Sequence, residues 1–162
     1  SVSNIEAIDF SELGAELDIY GHGNEEEEIQ RFINENPGCG VAYKGSLTKK
    51  ELHARLPEYH ASIVPLKTRI KGAVPSKIFE LIYLQVPVLF CGGGEGARIV
   101  NGFNVGFSSD PGDFESLKLN IRKLSEMSAE EFMSLKQSCI HAASTSLDFD
   151  KQLDELVTWL EE

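Results

Sequence analysis

Apolar positions along the chain fall into two alternating kinds of stretch. Short, nearly continuous runs have the length and composition of strands. They are LDIYG (Leu17 to Gly21), VAYKG (Val41 to Gly45), ASIVPL (Ala61 to Leu66), PVLFC (Pro87 to Cys91) and the weaker VGFSS (Val105 to Ser109). Between them, apolar residues recur at helical spacing. Ile29, Phe32 and Ile33 mark a helix over Glu25 to Asn36, and Thr48 is placed to cap another over Lys49 to Leu56. Ser76 to Leu84 carries Ile78, Phe79, Leu81 and Ile82, and a short helix is predicted near Ala97 to Val100. From Pro111 the pattern is helical to the end, broken near Ser125 to Ser128 and Ser144 to Ser146. Leu153, Leu156, Val157, Trp159 and Leu160 give the final helix a packing face.

Strands that are apolar throughout and alternate with helices imply a parallel sheet covered on both faces. That is the doubly wound α/β class, here with extra C-terminal helices, and its ligands lie beyond the carboxyl ends of the strands. The 162 residues suit one domain spanning the chain. A helix predicted over Asn4 to Leu13 stands where such folds usually open with a strand. The expectation is a piece of a longer protein, with its first strand missing.

Composition narrows the function. Lys plus Arg number 15 against 26 Asp plus Glu, a net charge of −11, the wrong balance for a general nucleic-acid binder. No apolar run approaches the ~20 residues of a membrane span, and the N-terminal sequence lacks a signal-peptide pattern. Cys39, Cys91 and Cys139 are odd in number and widely spaced, which reads as reduced thiols in a cytoplasmic setting. His22, His53, His60 and His141 show no metal-ligand spacing, and no nucleophile motif is present.

Three loops follow strand ends. Gly21-His22-Gly23 begins like a dinucleotide fingerprint, but Glu26 stands at the third glycine position, so that motif fails. It is either a backbone cradle for an anion or a plain strand-to-helix turn. Leu66 to Lys77 holds Lys67, Arg69, Lys71 and Lys77 with no acid before Glu80, a local reversal of charge that suits a phosphate. Its alternative is an exposed basic loop. Gly92-Gly93-Gly94 permits close approach of a backbone or ligand, but is not a P-loop.

The stretch PSKIFELIYLQVPVLFCGGGEGARIVNGFNVGF (Pro75 to Phe107) resembles the donor half of family 4 glycosyltransferases, which have the GT-B fold. The pattern runs P-x-K-x-x-E, an apolar helix, P-V and a strand, a glycine-rich turn and a late N-x-G. LDIYGHG, YKGSLTKKEL, HASIVPL and the terminal FDKQL resemble the family's flanking segments in the same order. The likeness runs from about residue 15 to 160 and is nearest to transferases of bacterial polysaccharide synthesis.

The resemblance implies a Rossmann-like GT-B C-terminal domain that binds a UDP- or GDP-linked sugar, with no cofactor and no metal. Glu80 matches the family glutamate that bonds the ribose hydroxyls. The partner glutamate of that motif would fall at position 72, where this chain has Gly72. Ala73, Val74, Pro75 and Ser76 match the loop offering amides to the diphosphate, and Lys77 its cation. Gly21, His22 and Gly23 match the glycine turn, and Gly45 and Ser46 the loop beside the base. The acceptor, a glycan or lipid-linked sugar, would belong to a second lobe, so this domain alone is expected to be inactive as a hexosyltransferase. Catalytic residues are not assigned. The likeness leaves room for a longer cytoplasmic enzyme touching the inner face of the membrane. An epimerase of the same architecture and a non-catalytic α/β module are the alternatives.

Overall fold

The alternation of short and long periods folds as successive strand–helix units. The computed structural model describes residues 6–68, 72, 74–145 and 147. Along them run β1 (Leu17–Ile19), α1 (Glu26–Glu35), β2 (Val41–Tyr43), α2 (Lys49–Arg55), β3 (Ser62–Pro65) and α3 (Ser76–Tyr83). There follow β4 (Val88–Cys91), α4 (Gly94–Gly102), β5 (Gly106–Ser109), α5 (Phe114–Ser125) and α6 (Ala129–Ser144). Every predicted strand is present, and α4 extends beyond its predicted core at both ends. The terminal packing face with Trp159, together with FDKQL, lies outside the described residues.

All strand pairs are parallel, but the sheet is in two pieces. β1 pairs with β2, while β3, β4 and β5 form a second piece in that order. The architecture is the expected α/β, Rossmann-like type. β4 shows why its run is uninterrupted. Val88 and Phe90 enter a core with Ile78, Leu81, Ile82, Val100, Val105 and Cys139. Leu89 and Cys91 enter a second core with Leu13, Val41, Leu117 and Ile121. Burying each such side chain contributes about 1.5–3 kcal/mol. At Gly106 a Cβ would stand 1.9 Å from the Val88 carbonyl oxygen, so β5 reaches β4 this closely only as glycine.

Helix starts follow local chemistry. Thr48 and Glu51 form a capping box on α2, Ser128 and Glu131 another on α6, and Asp113 caps α5. Glu26, Glu27 and Glu28 occupy the first turn of α1, where the dipole favours them.

The predicted helix over Asn4 to Leu13 is corrected from Ala7 onward; Asn4 and Ile5 lie outside the described residues, and Glu6 is helical. Residues Ile8 to Phe10 are irregular, and only a 3-10 turn at Ser11–Leu13 follows. Asp9 explains it, since its carboxylate accepts from the backbone N–H of Ser11 and Glu12 and from the Ser11 hydroxyl. A short acidic side chain that takes local amides in this way competes with helix.

Candidate functional site

α3 is bound on one side and open on the other. Ile78, Leu81 and Ile82 are sealed in the core, which fixes the helix and turns Lys77 and Glu80 toward the open side. α2 approaches with its own half-buried face, Leu52 and His53, followed by Leu56. The two helices meet through side chains. His53 Nε2 lies 2.5 Å from Glu80 Oε1, and Lys77 Nζ lies 3.5 Å from Glu80 Oε2.

The Glu80 side chain is 25% exposed, so it is shielded but reachable. The His53 hydrogen bond holds its carboxyl below the ordinary carboxylate range; the Lys77 charge helps, and partial burial opposes. Each carboxylate oxygen has one partner here, and each retains lone-pair capacity for a further donor. A neutral diol could therefore be accepted without breaking the His53 contact.

The glycine loops form a second group. The Gly21 N–H donates to the Gly45 carbonyl at 2.9 Å, and the Tyr43 hydroxyl donates to the Gly21 carbonyl at 2.7 Å. Gly21 to Gly23 and Gly45 to Ser46 are thus neighbours at the ends of β1 and β2. His22 Nδ1 lies 3.2 Å from Glu26 Oε2, with its side chain 73% exposed. Lys67 Nζ lies 3.9 Å from Glu25 Oε1, which brings the start of the basic segment to the start of α1. No atom lies within 4 Å of where a Cβ would stand at Gly21, Gly23, Gly45 or Gly72, so each presents open backbone.

A cavity of about 1430 Å³ separates β1 from β3, and Lys67, Lys77 and Glu80 are on its wall. Among the described residues, the other predicted site residues do not line it. Val74 packs against the core, Pro75 occupies the cap position of α3, and Ser76 opens the helix. Ala73, Arg69 and Lys71 lie outside the described residues. In the turn at Gly92-Gly93-Gly94, packing explains the first glycine, and the positive φ of 63° and 62° explains the other two. A Cβ at Gly92 would overlap the Phe90 ring, as would one at Gly96.

Two features escaped the sequence. His53 is 27 positions from Glu80, and its only signal was a place beside Leu52 on the inward face of a short helix. Tyr59 donates to Asp18 Oδ2 at 2.6 Å, and its hydroxyl lies 2.8 Å from that of Tyr20. Burial and the Asp18 carboxylate push the Tyr59 phenol upward. Among the described residues, no group of three His, Cys, Asp or Glu side chains could hold a metal ion.

No protein-family model matches the chain, and no curated protein matches it. Solved structures do. WaaG, a glycosyltransferase involved in lipopolysaccharide biosynthesis, is similar at a TM-score of 0.68 and 15% identity, over 89% of this chain and 38% of that one. The pneumococcal O-GlcNAc transferase GtfA, solved with UDP and GlcNAc, is similar at 0.66 and 18% over 99% and 32%. AviGT4, a glycosyltransferase involved in avilamycin A biosynthesis, is similar at 0.58 and 20% over 85% and 41%. The chain spans 32% to 41% of the length of these structures. At such identities the likeness establishes the Rossmann-like GT-B fold.

Proposed function

We propose that the chain is the donor-binding domain of a glycosyltransferase, taking a nucleoside-diphosphate sugar in the crevice at the carboxyl ends of β1, β2 and β3. The observation that carries this reading is Glu80, a half-buried carboxylate on the cavity wall, oriented by His53 and flanked by the Lys77 cation. A carboxylate so held can accept from both hydroxyls of a ribose diol. Lys77 serves a phosphate as a compact point charge. The open backbone at Gly21, Gly23, Gly45 and Gly72 would receive the base and diphosphate, together with the neighbouring Ser46 and Ser76.

In the transfer itself, the nucleoside diphosphate leaves with growing negative charge. Fixed cations and amides stabilise that charge as the bond breaks. The acceptor must be held by groups this chain does not show, so the chain alone should transfer no sugar. The finer reading is a family 4 enzyme of bacterial polysaccharide synthesis, working in the cytoplasm on a glycan or lipid-linked acceptor. Among the described residues no helix is long and apolar enough to cross a membrane. An epimerase would need an acid or base held over the sugar, and His22 is exposed and engaged by Glu26.

Calorimetry with UDP, GDP and their sugar conjugates tests the proposal. Saturable heat for one base, with binding weakened roughly ten- to hundredfold in Glu80→Gln, is the expected result. Silence from all of them at millimolar concentration would overturn it.

A further inference from the structure

We propose that His53 is a positioning residue that keeps Glu80 and Lys77 apart, so that the acid serves a ribose diol and the cation a phosphate of the same ligand. That division of labour rests on the donor-domain reading; the separation itself is a property of the chain without ligand.

Left to their own helix, the two side chains would neutralise each other. Lys77 and Glu80 stand three positions apart on α3, a spacing at which opposite charges meet on one helix face. The Lys77 side chain is 60% exposed, so packing does not hold it away. A carboxylate taken up by its helix neighbour would offer a diol little, and the ammonium would be drawn back from a phosphate. The observed contact stops short of that. Lys77 Nζ lies 3.5 Å from Glu80 Oε2, well beyond the about 2.7–2.9 Å of a close charge-assisted hydrogen bond.

His53 supplies the opposing hold. Its Nε2 lies 2.5 Å from Oε1, the oxygen that Lys77 does not use. Glu80 is kept in its charged form, and a carboxylate only accepts, so Nε2 carries the proton of this bond. The His53 hydrogen bond acts on the Glu80 carboxyl more strongly than the Lys77 charge does. Two donors thus pull on different oxygens, and the stronger pull comes from another helix.

His53 can hold because its own place is fixed. Thr48 and Glu51 cap α2, Leu52 lines the cavity, and Leu56 packs against the sealed core. An imidazole has few torsions to restrain, whereas lysine carries its charge on a flexible four-carbon stem. The other cations nearby are turned elsewhere. Lys67, on the cavity wall, lies 3.9 Å from Glu25, and Arg55 lies 3.4 Å from Glu58. Lys49 and Lys50 are exposed at the start of α2.

A ligand therefore meets two handles. A diol arriving at Oε2 displaces the loose Lys77 contact and leaves the His53 bond in place. The released ammonium then turns to the diphosphate. Three substitutions should leave different marks. Glu80→Gln removes the discrimination between ribose and 2′-deoxyribose and spares the phosphate. Lys77→Gln weakens the phosphate and spares that discrimination. His53→Leu, at a residue assigned to neither part of the ligand, weakens both.

The test has a bound and a free arm. Calorimetry compares UDP with 2′-deoxy-UDP and with uridine, or the guanine set if that base binds. His53→Leu should lower both the ribo-to-deoxy ratio and the diphosphate-to-nucleoside ratio by about tenfold. His53→Gln, which keeps an N–H in the place of Nε2 but not the charge, should recover most of each. A His53→Leu protein that retains either ratio would overturn the proposal, and so would a loss that glutamine does not restore. In the free arm, carbon NMR follows the Glu80 carboxyl titration in wild type, Lys77→Gln, His53→Leu and the double variant. Removing Lys77 should raise the midpoint slightly while His53 is present and markedly more when it is absent, because the ammonium then takes over the carboxylate. Additive shifts would overturn the proposal. If neither UDP nor GDP binds, the donor-domain reading fails, and the free arm alone decides whether His53 separates the acid from the cation.

Discussion

In the β3–β4–β5 half, Ile78, Val86, Val88, Val100, Val105 and Cys139 are completely shielded, and β4 is buried at all four positions. In the β1–β2 half, Val41 is the one buried strand residue, and α1 buries none of its residues fully. The sealed half is a frame. The open half carries the glycine loops and one wall of the cavity. His53 and Glu80 mark the seam, because α2 follows β2 and α3 is anchored in the sealed core. A rigid carboxylate facing a looser wall is an arrangement that can hold one end of a ligand firmly while the other end is fitted around it.

The largest expected effect is on stability. Phe90→Ala, in the sealed half, should cost about 3–5 kcal/mol in a denaturant titration. Phe32→Ala, on the half-buried face of α1, should cost less than about 3 kcal/mol, below the range for full burial. Equal losses would erase the distinction between the halves.

Next comes the seam. Glu80→Gln removes the charge that strengthens its bonds to a diol, which should cost about 1.5–3 kcal/mol of nucleotide binding. That is roughly a ten- to hundredfold weaker dissociation constant, nearly independent of salt. Lys77→Gln should weaken diphosphates more than nucleosides, with a difference that shrinks as salt rises. If Glu80→Gln melts the fold and the surviving protein binds normally, the carboxylate belongs to the frame and not to the site.

A smaller effect should appear in acid. The Glu80 carboxyl is held below its ordinary value of 4.5, so its contribution is fully present above that pH. It is lost as pH falls through the lowered native value. His53→Gln should move that loss toward higher pH. Denaturation midpoints of both proteins between about pH 3 and pH 6 would show the shift, and superimposable curves would remove His53 from the seam.

The mildest probe is chemical. Burial pushes the Cys139 thiol up to about 11 and raises that of Cys91, while Cys39 is half-buried in the open half. A thiol reagent at about pH 8 should modify Cys39 first and the other two only on unfolding. Early loss of Cys139 would contradict a sealed frame.

The strands and most helices were legible because each strand is a short apolar run and each helix has a sided one. The opening was misread because Asp9 spends its carboxylate on nearby amides, a choice that periodicity does not register. The interruption between β1 and β3 was invisible for a different reason: the order of strands along the chain does not reveal which are neighbours. Glu80 and Lys77 could be named from a local pattern. His53 could not, since nothing in its spacing connects it to Glu80 before α2 and α3 are packed together.

The most direct measurement is an amide-resolved NMR titration of the chain with UDP and GDP. One of them should shift Gly21 to Gly23, Gly45 to Ser46, Gly72 to Ser76 and the Lys77 to Glu80 turn together, and Glu80→Gln should reduce those shifts at equal ligand. Shifts confined to α5 and α6, or none at millimolar nucleotide, would contradict a donor site at the seam.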